Sequence, residues 1–249
     1  MGDPATRDPA VPDPIVVPRL PRVRGAARST SWWGRAFVRS FEELTLDADD
    51  LLAARTLARS GRLGATVVIE GMASAVVDPA GTEARMAQVR VGVLDAEGWA
   101  TFVREAARES GFAAALEVGD LPAELVEHAD EAGAEVLPGT DAIDTACECD
   151  SWAQPCVHAL ALLYQLAWHV DADPYVLLLL RGRTREVLLA DVEALVTGRT
   201  APPPPGTDER ADARTRAARV LALAEDAPAG HGLADAGVAA YDEAVSRLL

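Results

Sequence analysis

All three cysteines of the chain fall inside one short stretch, CECDSWAQPCVH, which ends on a histidine. The donors are Cys147, Cys149, Cys156 and His158. Three cysteines cannot all pair as disulfides, and in a reducing compartment clustered cysteines more often bind metal. Thiolate sulfur and imidazole nitrogen are what zinc(II) takes in a tetrahedron, at about 2.3 Å and about 2.0 Å. Cys147 and Cys149 are two apart, Cys156 and His158 likewise, and six residues separate the pairs. That interval lets both pairs close around one ion if the backbone bends between the members of each. Four donors from one chain leave no coordination position open, so the expected role is a single structural zinc rather than hydrolysis. Three ordinary buried cysteines beside a stray histidine are the plain alternative. A redox dithiol fits less well, because the spacing is C-x-C and not C-x-x-C.

Such a cluster needs something rigid behind it. Pro155 suits the first position of a helix, where its missing N–H costs nothing. Cys156 and His158 would then lie in a first turn, whose free N–H groups and positive dipole end favour thiolate. Val157, Leu160, Ala161, Leu163, Tyr164 and Ala167 mark that helix as apolar nearly all round, which predicts a place at the centre of a domain. An extended piece over 143–149 leads into the cluster. Downstream, Asp173-Pro174 restarts a helix through YVLLLL to Arg181-Gly182, and another spans 184–196 before Gly198.

Upstream, a helix is expected from Ser31, with Trp32, Trp33, Ala36, Phe37, Ser40 and Phe41 on one face, and a second over 49–59 ending at Gly61. Three antiparallel strands follow near 65–70, 72–78 and 85–94, the last with Met86, Val89, Val91 and Val93 in alternation. Asp95 can cap the next helix, with Gly111 closing it, and Pro122 opens a further one over 123–132. The fold class read from this pattern is α+β: a small antiparallel sheet, a mainly helical body, a zinc-stapled loop at the start of a central helix, and an appended C-terminal helical hairpin. Residues 1–28 read as a flexible Pro/Arg-rich arm, 29–198 as the zinc-binding domain with its finger at 147–158, 199–207 as a polyproline linker, and 208–249 as C-terminal helices.

Composition narrows the function classes. The net charge is −16 and lysine is absent, so every basic residue is an arginine. That balance repels nucleic acid on average, and any such contact needs a local basic face. Arg22, Arg24 and Arg28 in the arm offer one, as do Arg181, Arg183 and Arg185 after the YVLLLL helix; a solvated arm and capped carbonyls are the plainer readings. Trp32 and Trp33 could stack bases or simply pack in the core. The densest apolar run, 159–170, is about half of what a bilayer requires. No secretory signal is expected at the start, which fits only the loose myristoylation pattern of Gly2 with Thr6. The expected compartment is the cytoplasm. Nothing resembles a G-x-S-x-G elbow, a Walker A loop or a G-x-G-x-x-G turn, so no catalytic residue is expected. His128, His169 and His231 lack partners; His169 stands eleven residues beyond His158, about 16 Å along a helix, too far to share an ion.

C-x-C, six residues, then C-x-H is the pattern of the SWIM zinc finger, and the stretch resembles the bacterial version, of which CxCPDWANPCKH is a typical form. Cys147, Cys149, Cys156 and His158 match its ligands, and Trp152, Ala153 and Pro155 its filler. The similarity extends over roughly 31–196, through SWWGRAFVRSFEE, the strand region, GFAAALEVGDLPAELVEHADEAGAEVLP and DPYVLLLLRGRTREVLLADV. The resemblance implies a non-enzymatic DNA- or protein-binding role, as an accessory of a Swi/Snf-type helicase, without a membrane or a small-molecule substrate. An acidic protein–protein adaptor with no nucleic-acid contact is the alternative. Two departures favour it or touch the site: Val157 stands where a lysine is common, and Ser151 where an aspartate is common.

Overall fold

The turn at Glu70 and Gly71 sets the first hairpin. Ile69 pairs with Met72 across it, and Gly71 adopts φ +73°, where a Cβ is strongly disfavoured. Its N–H donates to Leu180 O at 3.0 Å and its carbonyl accepts from Val91 N–H at 2.9 Å, so the tip is pinned to its surroundings. The computed structural model describes residues 14–22, 29–45, 47–78 and 84–198. The hairpin strands are β2 (Leu63–Ile69) and β3 (Met72–Val77). With β1 (Ile15–Val17), β4 (Arg85–Val91) and β5 (Ile143–Cys147) they form one antiparallel sheet in the order β1-β2-β3-β4-β5. Eight α-helices among the described residues complete an α+β fold.

Helix α6 (Val157–Ala172) is the centre of the larger core. Ten of its residues are buried, including Leu160, Leu162, Leu163 and Leu166. Ala87, Val89 and Val91 of β4 join them from the sheet. Phe37 and Phe41 of α1 (Trp32–Glu42), with Ala54 and Ala58 of α2 (Ala48–Arg59), close the other side. Tyr164 donates its hydroxyl to Glu42 Oε1 at 2.7 Å and accepts from Arg55 Nε at 2.8 Å, tying these three helices together. Gln165, buried in the same helix, donates to Ala58 O at 3.0 Å. The start of α1 is held by Asp171, whose Oδ1 accepts from Ser31 N at 2.7 Å and Thr30 N at 2.8 Å. That contact requires Gly34, since a Cβ there would lie 2.5 Å from Asp171 Oδ1.

A second core joins α3 (Ala96–Arg108), α4 (Ser110–Glu117), α5 (Ala123–Glu131) and α8 (Arg185–Val196) around Trp99, Phe102, Leu116 and Leu125. Helix α7 (Pro174–Leu180) is buried along its whole length. Leu177 and Leu180 face the first core, Tyr175 and Leu178 the second.

Most expected elements are present, with five corrections. The arm over 1–28 is not free throughout: Ile15, Val16 and Val17 pair with Val68, Val67 and Thr66, and Arg19 Nε donates to Gly61 O at 2.8 Å. A β-branched run between prolines makes a short edge strand. In β4 the buried set is Ala87, Val89 and Val91, while Val93 lies beyond the strand end, 37% exposed. Gly111 closes nothing; the break falls at Glu109 and Gly111 lies inside α4. The piece expected over 143–149 ends at Cys147 and is a full member of the sheet. Pro155 precedes the helix instead of opening it, because Cys156 is the N-cap. The expected linker and hairpin over 199–249, and His231 in it, lie outside the described residues.

Burial of α6 extends to His169, whose Nε2 is enclosed without a hydrogen-bond partner. Desolvation pushes its pKa down to about 4, overriding the preference of a helix C-terminus for a cation. The unfolded chain takes up this proton near pH 6.5. Stability from the neutral ring is therefore complete above pH 6.5 and is lost as pH falls toward 4, by about 2–3 kcal/mol. Denaturant titrations from pH 7 to 4.5 should show that loss, and His169→Leu should remove most of it; equal pH dependence in both proteins would contradict the assignment.

Candidate metal centre

Strand β5 delivers the first donor. Its last residue, Cys147, pairs with Ala87 of β4, half-buried at the edge of the main core. The ladder continues one residue further, with Glu148 N–H donating to Met86 O at 3.1 Å. Glu148 Oε2 also accepts from Met86 N–H at 2.8 Å, which fixes the strand end on both sides. Cys149 follows where the strand has ended; residues two apart in a strand share a face but lie about 7 Å apart, and the bend here lets the two sulfurs close to within 4.8 Å. The chain then turns at Ser151, whose Oγ accepts from Ala153 N–H at 3.2 Å. It returns through buried Pro155, which follows a cis peptide bond.

Cys156 is the N-cap of α6, 1% exposed, and its Sγ accepts from Ala159 N–H at 3.5 Å. A sulfur thus occupies the capping role usually held by a serine or aspartate oxygen. His158 is the second residue of the helix. The four donor atoms of Cys147, Cys149, Cys156 and His158 all lie within 4.8 Å of one another. Tetrahedral arms of about 2.3 Å have edges of about 3.8 Å, so only a slight contraction seats an ion. His158 Nδ1 is buried and has no hydrogen-bond partner; a ring nitrogen in that state costs free energy unless it gives its lone pair to something. The cluster could hold a metal ion.

The thiols reinforce one another asymmetrically. A hydrogen bond from Cys147 holds the Cys156 thiol down to about 5, against the cost of burial, with the N–H groups of Ala159 and His158 and the Cys149 thiol adding to the effect. The same bond, with burial, pushes Cys147 up. Neighbouring thiols resist joint ionisation, and a divalent cation removes that conflict.

Of the expected nucleic-acid residues that the structure describes, Arg22, Arg181, Arg183 and Arg185, none lines the recess at this cluster. Arg181 is 6% exposed: its guanidinium donates to Gly92 O and, at 2.7 Å, to Glu135 O, and burial lowers its pKa. Arg183 is 9% exposed, 3.4 Å from Asp191 and stacked over Trp99 at 5.3 Å. These two bind the α7–α8 turn to the rest of the fold, and their burial corrects the expectation that they face phosphate. Arg185 is exposed but donates to Glu117 O at 2.7 Å and lies over Tyr175 at 4.7 Å. Arg22 is exposed on the segment that follows β1; Arg24 and Arg28 lie outside the described residues. Trp32 and Trp33 are structural, donating Nε1–H to Leu121 O at 2.7 Å and Val170 O at 2.8 Å.

Different cations stand beside the cluster. A recess of about 520 Å³ is lined by Arg62, Asp78, Arg85 and Val77 together with Cys149, Asp150, Cys156, Val157 and His158. Arg62 pairs with Asp78 at 2.8 Å and holds its carboxyl below the usual range. No motif marks Arg62 or Arg85; only the sheet register brings the starts of β2 and β4 to this edge.

No protein-family model matches the chain, and no solved structure matches it. A protein of Mycobacterium tuberculosis, the uncharacterized protein Rv2102, is 34% identical over 182 residues, which is 72% of this chain and 64% of that protein. The chain thus spans less than two thirds of the length of that relative.

Replacing Cys156 by serine or His158 by alanine should abolish stoichiometric metal and cost more than about 2 kcal/mol of stability, because metal affinity is partly spent on folding. His169→Ala should keep the metal. Elemental analysis and thermal melting of the three variants check this. Metal retained by His158→Ala and lost by His169→Ala would contradict the ligand set.

Proposed function

We propose that this chain is a zinc-stabilised SWIM-type interaction protein of the cytoplasm, non-enzymatic, serving a Swi/Snf-type helicase through contact with nucleic acid or protein. The observation that carries it is the closeness of four donors, three sulfurs and one imidazole, at the start of the central helix. Sulfur with imidazole in a four-donor set suits zinc(II) among the common divalent ions. All four donors come from the chain, so the ion has no vacant position for a hydrolytic water and its work is to staple β5 to α6. The spacing and the filler residues Trp152, Ala153 and Pro155 carry the resemblance to the SWIM finger. Among the described residues no helix is long and apolar enough to cross a membrane.

An adaptor that binds only protein is the second reading, and a specific observation favours it. Arg181 and Arg183, two of the arginines that could have met phosphate, are spent inside the fold. The net charge of −16 and Val157 in place of a lysine point the same way.

Electrophoretic mobility with duplex and single-stranded DNA, at about 50 mM and about 200 mM salt, separates the two readings. Nucleic-acid contact predicts binding at the lower salt that weakens when Arg22, Arg24 and Arg28 become alanine, with a flatter salt dependence and unchanged zinc content. Arg185→Ala is the parallel test on the helical body. No shift at about 50 mM salt, or a shift that none of these changes alters, leaves the adaptor.

A further inference from the structure

Of the five tryptophans, four are at work inside the fold. Trp32, Trp33 and Trp99 each donate Nε1–H to a backbone carbonyl, and Trp168 packs on the main core. Trp152 is 95% exposed. It stands on the loop between the two donor pairs, where the turn at Ser151 and the ligands at either end hold the backbone. A large apolar ring left in water forgoes a burial worth a few kcal/mol. On a loop already ordered by an ion, its docking would cost little further chain entropy.

The surroundings select the partner. Glu148 and Asp150 flank the ring's loop and are exposed, and the loop carries no basic residue. Three thiolates around a divalent ion leave about one further negative charge. In the adjoining recess Arg62 and Arg85 are balanced by Asp78 and Asp150, and Arg62 is already paired with Asp78. The sum is negative, which repels a phosphate backbone and attracts arginine or lysine. Tryptophan is also the best ring for a cation over its face.

We propose that Trp152 is the anchor by which the metal-held loop docks into an apolar pocket, rimmed with arginine or lysine, on a partner protein. The idea rests on the reading of the cluster as a metal-stapled interaction site, and names the residue and the partner chemistry.

The test uses the full chain loaded with zinc, with a random peptide library selected on it and counter-selected on Trp152→Ala. Surviving peptides should combine arginine or lysine with apolar residues. Each should bind the Trp152→Ala protein about 30-fold more weakly, the loss typical of an interface anchor, with Trp152→Phe intermediate. Metal content and melting temperature should not change, since the ring packs on nothing. Peptides that bind both proteins equally, or none that survive counter-selection, overturn the proposal. So does a Trp152-dependent affinity for oligothymidine in place of peptide, which would make the ring a base-stacking platform, or Trp152-dependent self-association in sedimentation. A chain that holds zinc but shows no Trp152-dependent peptide loses the anchor and keeps the metal site. One that shows the peptide effect without taking up metal keeps the anchor and loses the metal site.

Discussion

Helix α6 has no face to give to solvent along most of its length, and the rest of the molecule is arranged to satisfy that. Ten of its sixteen residues are buried, so it must be covered by the sheet, by α1 and α2, and by α7 at once. Covering it in this way fixes where its first turn emerges. That turn comes out beside the end of β5, and the two places at which the chain carries metal donors are thereby brought face to face. The closeness of the four donor atoms is a consequence of hydrophobic burial, and an ion held there would in turn lock the edge strand to the helix that the burial has placed.

The polar groups in the interior follow from the same packing. Gln165 and Tyr164 are on the central helix and find partners in Ala58 O and Glu42. Trp99 Nε1 and Leu94 N both donate to Arg181 O, which joins the second core to the turn after α7. The arginines there lie over aromatic rings or on backbone carbonyls, contacts that offset part of the cost of taking a guanidinium out of water. Charge that looked available for a ligand is consumed in holding two cores together.

Much of this was legible in the residues. Helices were expected to begin at or beside Ser31, Asp95, Asp173 and Thr184, and in the structure each of these residues caps its helix by accepting from a first-turn N–H. The donor set was readable because C-x-C and C-x-H bracket a loop of the right length. What spacing could not give was anything decided by the sheet register. Residues 15–17 read as part of an arm because pairing with β2 is long-range, and three residues between prolines carry little periodicity. Arg62, Arg85 and Asp78 come to the cluster only through that register. Arg181 and Arg183 looked like surface cations because nothing in RGRTR says that Gly92, Glu135 and Asp191 will surround them. Trp152 was read as filler; its exposure depends on a loop path that the motif alone does not describe.

The central claim is that three sulfurs and one imidazole bind a single zinc ion at the head of the central helix. X-ray absorption at the zinc edge, on full-length protein purified without chelators, addresses the donor set directly. The account predicts a first shell of about three sulfurs near 2.3 Å and one nitrogen near 2.0 Å, with imidazole scattering beyond it. A shell dominated by oxygen, fewer than three sulfurs, or no zinc taken up after addition of the metal would contradict it.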